Sequence, residues 1–353
     1  MVELRIEEAK SVLAENAMMA DDKPEWPLKS WEALRRSGVL GWCIPPIYGG
    51  SGLDGEALLG GYEELASACL TTCFILSQRE AACRRIRDSS NVSVARELLA
   101  ALARGEIFAT VGLSHLTTSR QHVAPSFTAI EKGDSLILNG TIPWITGAAK
   151  ADYIVLGAVL EDSRQILAAL PRHLPGVEIG PPLDLMALKG SLTAEMHCKD
   201  VALNRKWLLA GPTEKVIAIG KGGTGGFETS CLALGLARSA IDYLAKESQA
   251  RPDLRTTADR LGHNFKSIRE SMLSQLTGNC ATDGTAALRA RANSLVLRAT
   301  QSALTAAKGA GFLRNHPTQR WARQALFFLV WSCPRPAAEA TLAYLAGPEV
   351  DCA

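Results

Sequence analysis

The sequence predicts an α+β protein of three consecutive parts: a helical domain, a β domain, and a second helical domain built as a four-helix bundle. Three observations predict it. Apolar residues recur at helical spacing over roughly the first hundred positions. The pattern then turns to alternation broken by turn residues. After "KGGTGG" (Lys221–Gly226), four long helical segments run to the end of the chain. At 353 residues the chain can hold two or three domains around a sizeable core. The boundaries fall at 1–106, 107–213 and 214–353.

In the first part, "KSWEALRRSGVLGW" carries Trp31, Leu34 and Leu40 at helical spacing, with Gly38 as the stop. "IPPIYGGSGL" (Ile44–Leu53) is too rich in Pro and Gly to be helical. The segment from "DGEALLGG" to "AACRRI" reads as one long helix or a pair, and "SVARELLAALARGE" as a short amphipathic helix ended by Gly105. In the second part, "SFTAIEKGDSLILNGTIPWIT" predicts strand, turn (Lys132–Asp134), strand, turn (Asn139–Gly140), strand. "ADYIVLGAVL" and "RQILAALP" read as buried strands separated by "EDS", and "AEMHCKDVAL" alternates again. The third part offers "FETSCLALGLARSAIDYLAKESQA", "RTTADRLGHNFKSIRESMLSQL", "DGTAALRARANSLVLRATQSALTAAKGAG" and a last segment opening at "TQRWARQALFFLVW". Their lengths suit a bundle.

A net charge of +2 with dispersed basic residues argues against a nucleic-acid partner or a membrane surface. The nine cysteines form no CxxC pairs, and Cys69 and Cys73 sit one helical turn apart. They read as reduced structural thiols of a cytoplasmic protein, with no metal site. The N-terminus lacks the apolar core of a secretory signal, and no apolar run approaches the ~20 residues of a membrane span.

Five stretches, taken in order, resemble the acyl-CoA dehydrogenase family. They are "GWCIPPIYGGSGLDGEAL", "LNGTIPWITGAAKADYIVLGA", "ALKGSLTAEMHCKDVAL", "GLARSAIDYLAKE" and "KGAGFLRNHPTQRWARQA". The resemblance covers nearly the whole chain and implies that family's helical–β–bundle fold and a flavin, FAD, with FMN as the other choice. Read alone, Trp144 is a core indole and Thr146 a strand hydroxyl. With the other motifs, the resemblance implies that Trp144 covers the flavin ring and that Thr146 hydrogen-bonds near its N5, with Ile145 between them. It also puts Leu113 and Ser114, in "FATVGLSHLTTSRQH", against the flavin, with Thr117, Thr118 and Ser119 in the adjoining turn. Gly309 and Gly311 of "KGAGF" are small enough to let the backbone approach the cofactor. His115 and His122 read as loop-surface residues, His115 standing where the family carries Glu.

The chain also departs from the family. Aligned on Arg320 and Arg323, the position of the family's catalytic Glu is Ser332, and a serine hydroxyl is no substitute for a carboxylate base at neutral pH. The base position of other members falls on Gly225; Glu228, one helical turn on, is the carboxylate left in that stretch. Glu228 also reads as a first-turn acid favoured by the helix dipole. A CoA-contacting Arg position falls on Gly226, and a flavin-pyrophosphate Arg position on Ser248, with Arg251 and Arg255 close by. Three functions follow. The first is α,β-dehydrogenation of an acyl thioester on CoA or a carrier protein. The second is a flavin monooxygenase on the same fold, using reduced flavin and oxygen; the third is a non-catalytic flavin-binding homologue. The resemblance implies a homodimer or homotetramer.

Overall fold

A computed structural model of the chain describes residues 2–117, 125–218, 227–277, 284–331 and 335–347. The chain forms two compact units. One comprises Met1–Leu58 with Thr71–Thr224, the other Leu59–Leu70 with Gly225–Ala353.

The first unit opens with α1 (Val2–Asp22) and α2 (Leu28–Arg36). Just past the C-cap Ser37 of α2 stands Gly38, at φ 78°, a left-handed conformation that glycine adopts freely. The "IPPIYGGSGL" loop follows. Its backbone folds so closely that a Cβ on Gly50 would lie 2.0 Å from the Ile44 carbonyl oxygen. The long helical segment resolves into a pair, α3 (Gly55–Ala68) and α4 (Leu70–Arg87). The segment α5 (Val92–Arg104) is capped by the Asn91 side chain at one end and by Gly105, φ 68°, at the other.

Eight strands follow, all between 107 and 213: β1 (Ala109–Gly112), β2 (Phe127–Lys132), β3 (Ser135–Ile145), β4 (Tyr153–Leu160), β5 (Gln165–Pro171), β6 (Val177–Ile179), β7 (Ala194–Asn204) and β8 (Leu208–Thr213). A short helix, α6 (Ser114–Thr117), follows β1. The strand order is β6-β7-β3-β2-β4-β5-β8, and β1 pairs with β4. The pairs are antiparallel except β1–β4 and β2–β4, which are parallel. Leu136, Leu138 and Ile142 on β3 and Met196, Val201 and Leu203 on β7 face one core, shared with Leu98, Leu99 and Leu102 of α5. Alternation along a strand puts every second side chain on that buried face.

One predicted turn is not there. Asn139–Gly140 lies within the continuous strand β3, where the register against β7 shifts between Leu138 and Gly140. The Asn139 amide is spent on β7: it accepts from the Asp200 backbone N–H at 2.8 Å and donates to the Asp200 carboxylate at 3.2 Å. A Cβ on Gly140 would lie 2.2 Å from the Ser126 carbonyl oxygen, so glycine here serves a bulge and close strand approach.

The second unit contains α7 (Phe227–Glu247), α8 (Arg255–Leu276), α9 (Thr285–Ala307), α10 (Pro317–Leu326) and α11 (Arg335–Leu345). The last predicted segment is thus two helices. Pro336 stands in the first turn of α11, where its missing backbone donor is tolerated. The core is built on Leu232, Leu234 and Leu236 of α7, Leu288, Leu295 and Val296 of α9, and Phe328.

Candidate functional site

The end of β3 carries the most distinctive geometry in the first unit. Ile142 pairs with Met196 and Ile145 with Ala194, so Pro143 and Trp144 together stand opposite Glu195. Proline lacks the ladder donor and is at home in such a bulge. The bulge leaves Ile145 fully buried and Trp144 53% exposed, an uncovered indole at the sheet end. Beyond it Thr146 is buried, and its hydroxyl lies 3.4 Å from that of Thr193; the Thr193 hydroxyl lies 2.9 Å from that of Ser191. The chain then turns at Gly147, φ 66°, whose N–H donates to the Ser191 carbonyl at 2.8 Å. A Cβ at Gly147 would meet Phe108 at 2.9 Å and Trp26 at 3.3 Å. Trp26, Trp31 and Phe108 form a triangle of edge and tilted ring contacts, 5.3–5.4 Å between centroids, beneath this turn.

The β1–α6 connection runs beside the same strand end. A Cβ on Gly112 would lie 3.2–3.3 Å from Ile142 and Ile145, and Leu113 is buried immediately after it. Leu113, Ser114, Trp144, Ile145 and Thr146 therefore belong to one end of one sheet. His115, expected at the loop surface, is instead largely enclosed. Its ring packs 5.9 Å from Phe127, and its Nε2 lies 2.9 Å from the Gly157 carbonyl oxygen. A carbonyl only accepts, so Nε2 carries the proton and Nδ1 a lone pair. Nδ1 is buried with no hydrogen-bond partner among the described residues. Burial lowers the His115 pKa to about 4, against the opposing effect of the Gly157 bond. The turn that includes Thr118, Ser119 and His122 lies outside the described residues, as do Gly225, Gly226 and Ser332.

The helical unit carries the remaining residues named from the sequence. Glu228 stands half-buried in the first turn of α7. Burial pushes the Cys231 thiol well up, and the carboxylates of Glu63 and Glu228 add to the shift. Glu63, from the part of α3 that packs with this unit, is a buried carboxylate that sequence reading passed over. It lies 3.5 Å from Arg238 and 3.2 Å from Arg269. Burial raises its pKa although both arginines pull it down. Gly309 is exposed with open space around it. A Cβ on Gly311 would come within 2.6 Å of Ala307 and 2.7 Å of the Thr318 hydroxyl, so helix packing accounts for this glycine. Ser248 is buried, its hydroxyl donating to Ala245 at 2.8 Å, and Arg251 donates to the Ala306 carbonyl at 2.6 Å near the end of α9.

Sequence reading also passed over Ser191 and Thr193. Their signal was present in "LKGSLT", two hydroxyls two residues apart just after a glycine, but only the fold shows that they reach Thr146. A flavin offers a flat apolar ring edged with carbonyl oxygens and ring nitrogens. An uncovered indole beside a row of hydroxyls suits that donor and acceptor set. Among the described residues no three His, Cys, Asp or Glu side chains gather as metal ligands, and no helix is long and apolar enough to cross a membrane.

The order of helices, mixed sheet and helices defines the architecture of the acyl-CoA dehydrogenases. A family model described as the acyl-CoA dehydrogenase N-terminal domain matches residues 6–106. The Bacillus subtilis protein YngJ, described as a probable acyl-CoA dehydrogenase, is 29% identical over 242 residues. That alignment covers 66% of this chain and 63% of YngJ, so the match spans under two thirds of the relative. Butyryl-CoA dehydrogenase from Megasphaera elsdenii has the same fold, with TM-score 0.83, 20% identity, and coverage of 98% of this chain and 97% of that one. A glutaryl-CoA dehydrogenase from Mycobacterium smegmatis, solved in complex with FADH2, superposes at TM-score 0.80 with 16% identity, covering 97% and 95%. Residues 6–106 thus match that family's N-terminal domain, and the whole chain has the acyl-CoA dehydrogenase fold.

Proposed function

We propose that the protein is a flavin-dependent oxidoreductase that dehydrogenates an acyl thioester, carried on CoA or on a carrier protein, between the α and β carbons. The observation that carries this reading is the pairing of exposed Trp144 with buried Thr146 at the end of β3. FAD, when bound, supplies the hydride acceptor. Trp144 covers the ring and keeps water from it, Thr146 hydrogen-bonds at its edge, and Leu113, Ser114 and Ile145 line the approach. Glu228 takes the α proton. Glu63 is less suited, because Arg238 and Arg269 occupy its two oxygens. A homodimer or homotetramer in the cytoplasm accords with this reading.

A visible spectrum of the purified protein tests it. Bound flavin should bleach when acyl thioesters are added without oxygen, and a Glu228→Gln variant should bleach ~10²–10⁴-fold more slowly. A variant that bleaches at the normal rate removes Glu228 as the base, and a protein that neither carries nor takes up flavin ends the whole reading. One observation favours a second reading: Ser332 stands where the family carries its catalytic Glu. If thioesters leave the flavin oxidised while the reduced protein consumes oxygen, the protein is a monooxygenase on this fold.

A further inference from the structure

The turn bearing Ser191 is expensive to build. Leu188 and Leu192 are both held in the left-handed region, at φ 61° and 47°. Such non-glycine conformations are strained and persist where surrounding structure enforces them. Here the enforcement is visible. The Leu188 N–H donates to the Asp21 carboxylate of α1 at 2.8 Å. A Cβ on Gly190 would come within 2.5 Å of the Ala20 carbonyl oxygen, and the Ser191 carbonyl holds the Gly147 N–H. Ser191 and Thr193 are buried, so neither hydroxyl serves solvent. The product of this strained, pinned turn is a line of three hydroxyls ending at Thr146.

We propose that Ser191, Thr193 and Thr146 form a reversible hydrogen-bond chain that lets Thr146 act as donor to an oxidised flavin and as acceptor to a reduced one. The inference rests on the reading that flavin lies at Thr146. A flavin ring nitrogen beside this residue accepts a hydrogen bond when oxidised and carries its own proton when reduced. A hydroxyl has one proton and two lone pairs, and in a buried chain its direction is set by its neighbours. When Ser191 donates to Thr193 and Thr193 to Thr146, the Thr146 proton points outward. When the chain runs the other way, the Thr146 oxygen faces outward with a lone pair and its proton goes to Thr193. The Thr146–Thr193 separation of 3.4 Å is the loose link, and a loose link between rotatable hydroxyls reverses readily. Ser191 and Thr193 are positioning residues in this scheme.

The consequence is asymmetric. Without the Thr193 hydroxyl, Thr146 can still donate to the oxidised ring, leaving a spare lone pair unused. In the reduced state its proton has lost its acceptor, and an orphaned buried donor is penalised more than an orphaned lone pair. The experiment is anaerobic titration of flavin-stripped protein with oxidised and with chemically reduced FAD. Wild type is compared with Thr193→Val, Thr193→Ser and Ser191→Ala, and thermal melting shows that each variant folds. Thr193→Val should weaken reduced FAD by about tenfold more than oxidised FAD, lowering the potential by about 30 mV for a two-electron couple. Thr193→Ser should restore the wild-type ratio, and Ser191→Ala should shift it in the Val direction. If the ratio is unchanged in both Thr193→Val and Ser191→Ala while wild type binds FAD, the chain is only structural and this inference falls alone. If wild type binds neither form of FAD, the cofactor reading falls and the inference with it.

Discussion

His115 shows how one side chain links burial to pH. Its Nε2–H is committed to Gly157, its ring lies against Phe127, and burial holds its pKa at about 4. An unfolded histidine titrates near 6.5. Between these values the unfolded chain binds the proton that the folded protein refuses, so stability rises with pH across that window. The neutral ring's contribution is complete above about pH 6.5 and is lost as pH falls toward 4. The shift corresponds to about 3 kcal/mol. His115→Gln keeps a donor for Gly157 and has no titration, so its unfolding midpoints in urea at pH 7 and pH 5 should differ less than those of wild type. Equal differences in the two proteins would show that His115 is protonated at little cost. The sequence named this residue but placed it at the surface, because a histidine in a polar loop gives no sign of the aromatic and carbonyl that enclose it. Trp144 and Thr146 were named from their motif, and the structure puts them side by side at the end of β3. Ser191 and Thr193 were not named, since Thr193, the hydroxyl neighbour of Thr146, lies 47 positions further along the chain and only strand pairing brings them together.

Between elements, a buried cation adds to ordinary capping. Arg79 on α4 is fully buried, and its guanidinium donates to the carbonyls of Leu40, at 2.8 Å, and Leu102, in the last turn of α5. Helix ends leave carbonyls unsatisfied, and a planar fork of donors can serve two such ends at once. Arg79→Met preserves bulk but strands the Leu40 carbonyl and leaves Leu102 only the Gly105 N–H at 3.0 Å, so a loss of ~1–3 kcal/mol in denaturant unfolding is expected. Arg79→Lys keeps the charge and should recover little of that loss, because one ammonium does not reproduce the fork. Recovery of full stability by Lys would mean that charge, not geometry, matters here. Elements of this kind were legible where local chemistry decides them: Gly38 and Gly105 stop their helices, and Lys132–Asp134 turns β2 into β3. Asn139–Gly140 misled because the same dipeptide that makes a hairpin turn also makes a bulge. The choice between them lay with Asp200 and Ser126, both outside that hairpin's local pattern.

At the scale of the whole molecule, the three-part order was readable from periodicity, but the division of one helix was not. The last ten residues of α3 pack with the C-terminal helices while its first four belong to the other unit. Nothing in the spacing of "GEALLGGYEELASA" marks such a change. Two features fix it. Glu63 meets Arg238 of α7 and Arg269 of α8, and Glu64 also pairs with Arg238. At the crossing, α7 presents Gly235, where a Cβ would lie 2.4 Å from the Glu63 carbonyl oxygen and 2.7 Å from the Ala66 Cβ. Those neighbours are backbone and a short side chain, so they cannot swing aside, and any larger residue must push the helices apart. Separating them also loosens the buried carboxylate from its arginines, because the ion pairs depend on the same approach. Gly235→Val should therefore destabilise the protein by about 2–3 kcal/mol or more, beyond ordinary overpacking. Hydrogen exchange should rise first across residues 59–70 and along α7, with the β-sheet amides retaining their protection. If protection is instead lost uniformly, the two units unfold as one and the steric block at Gly235 is felt by the entire chain.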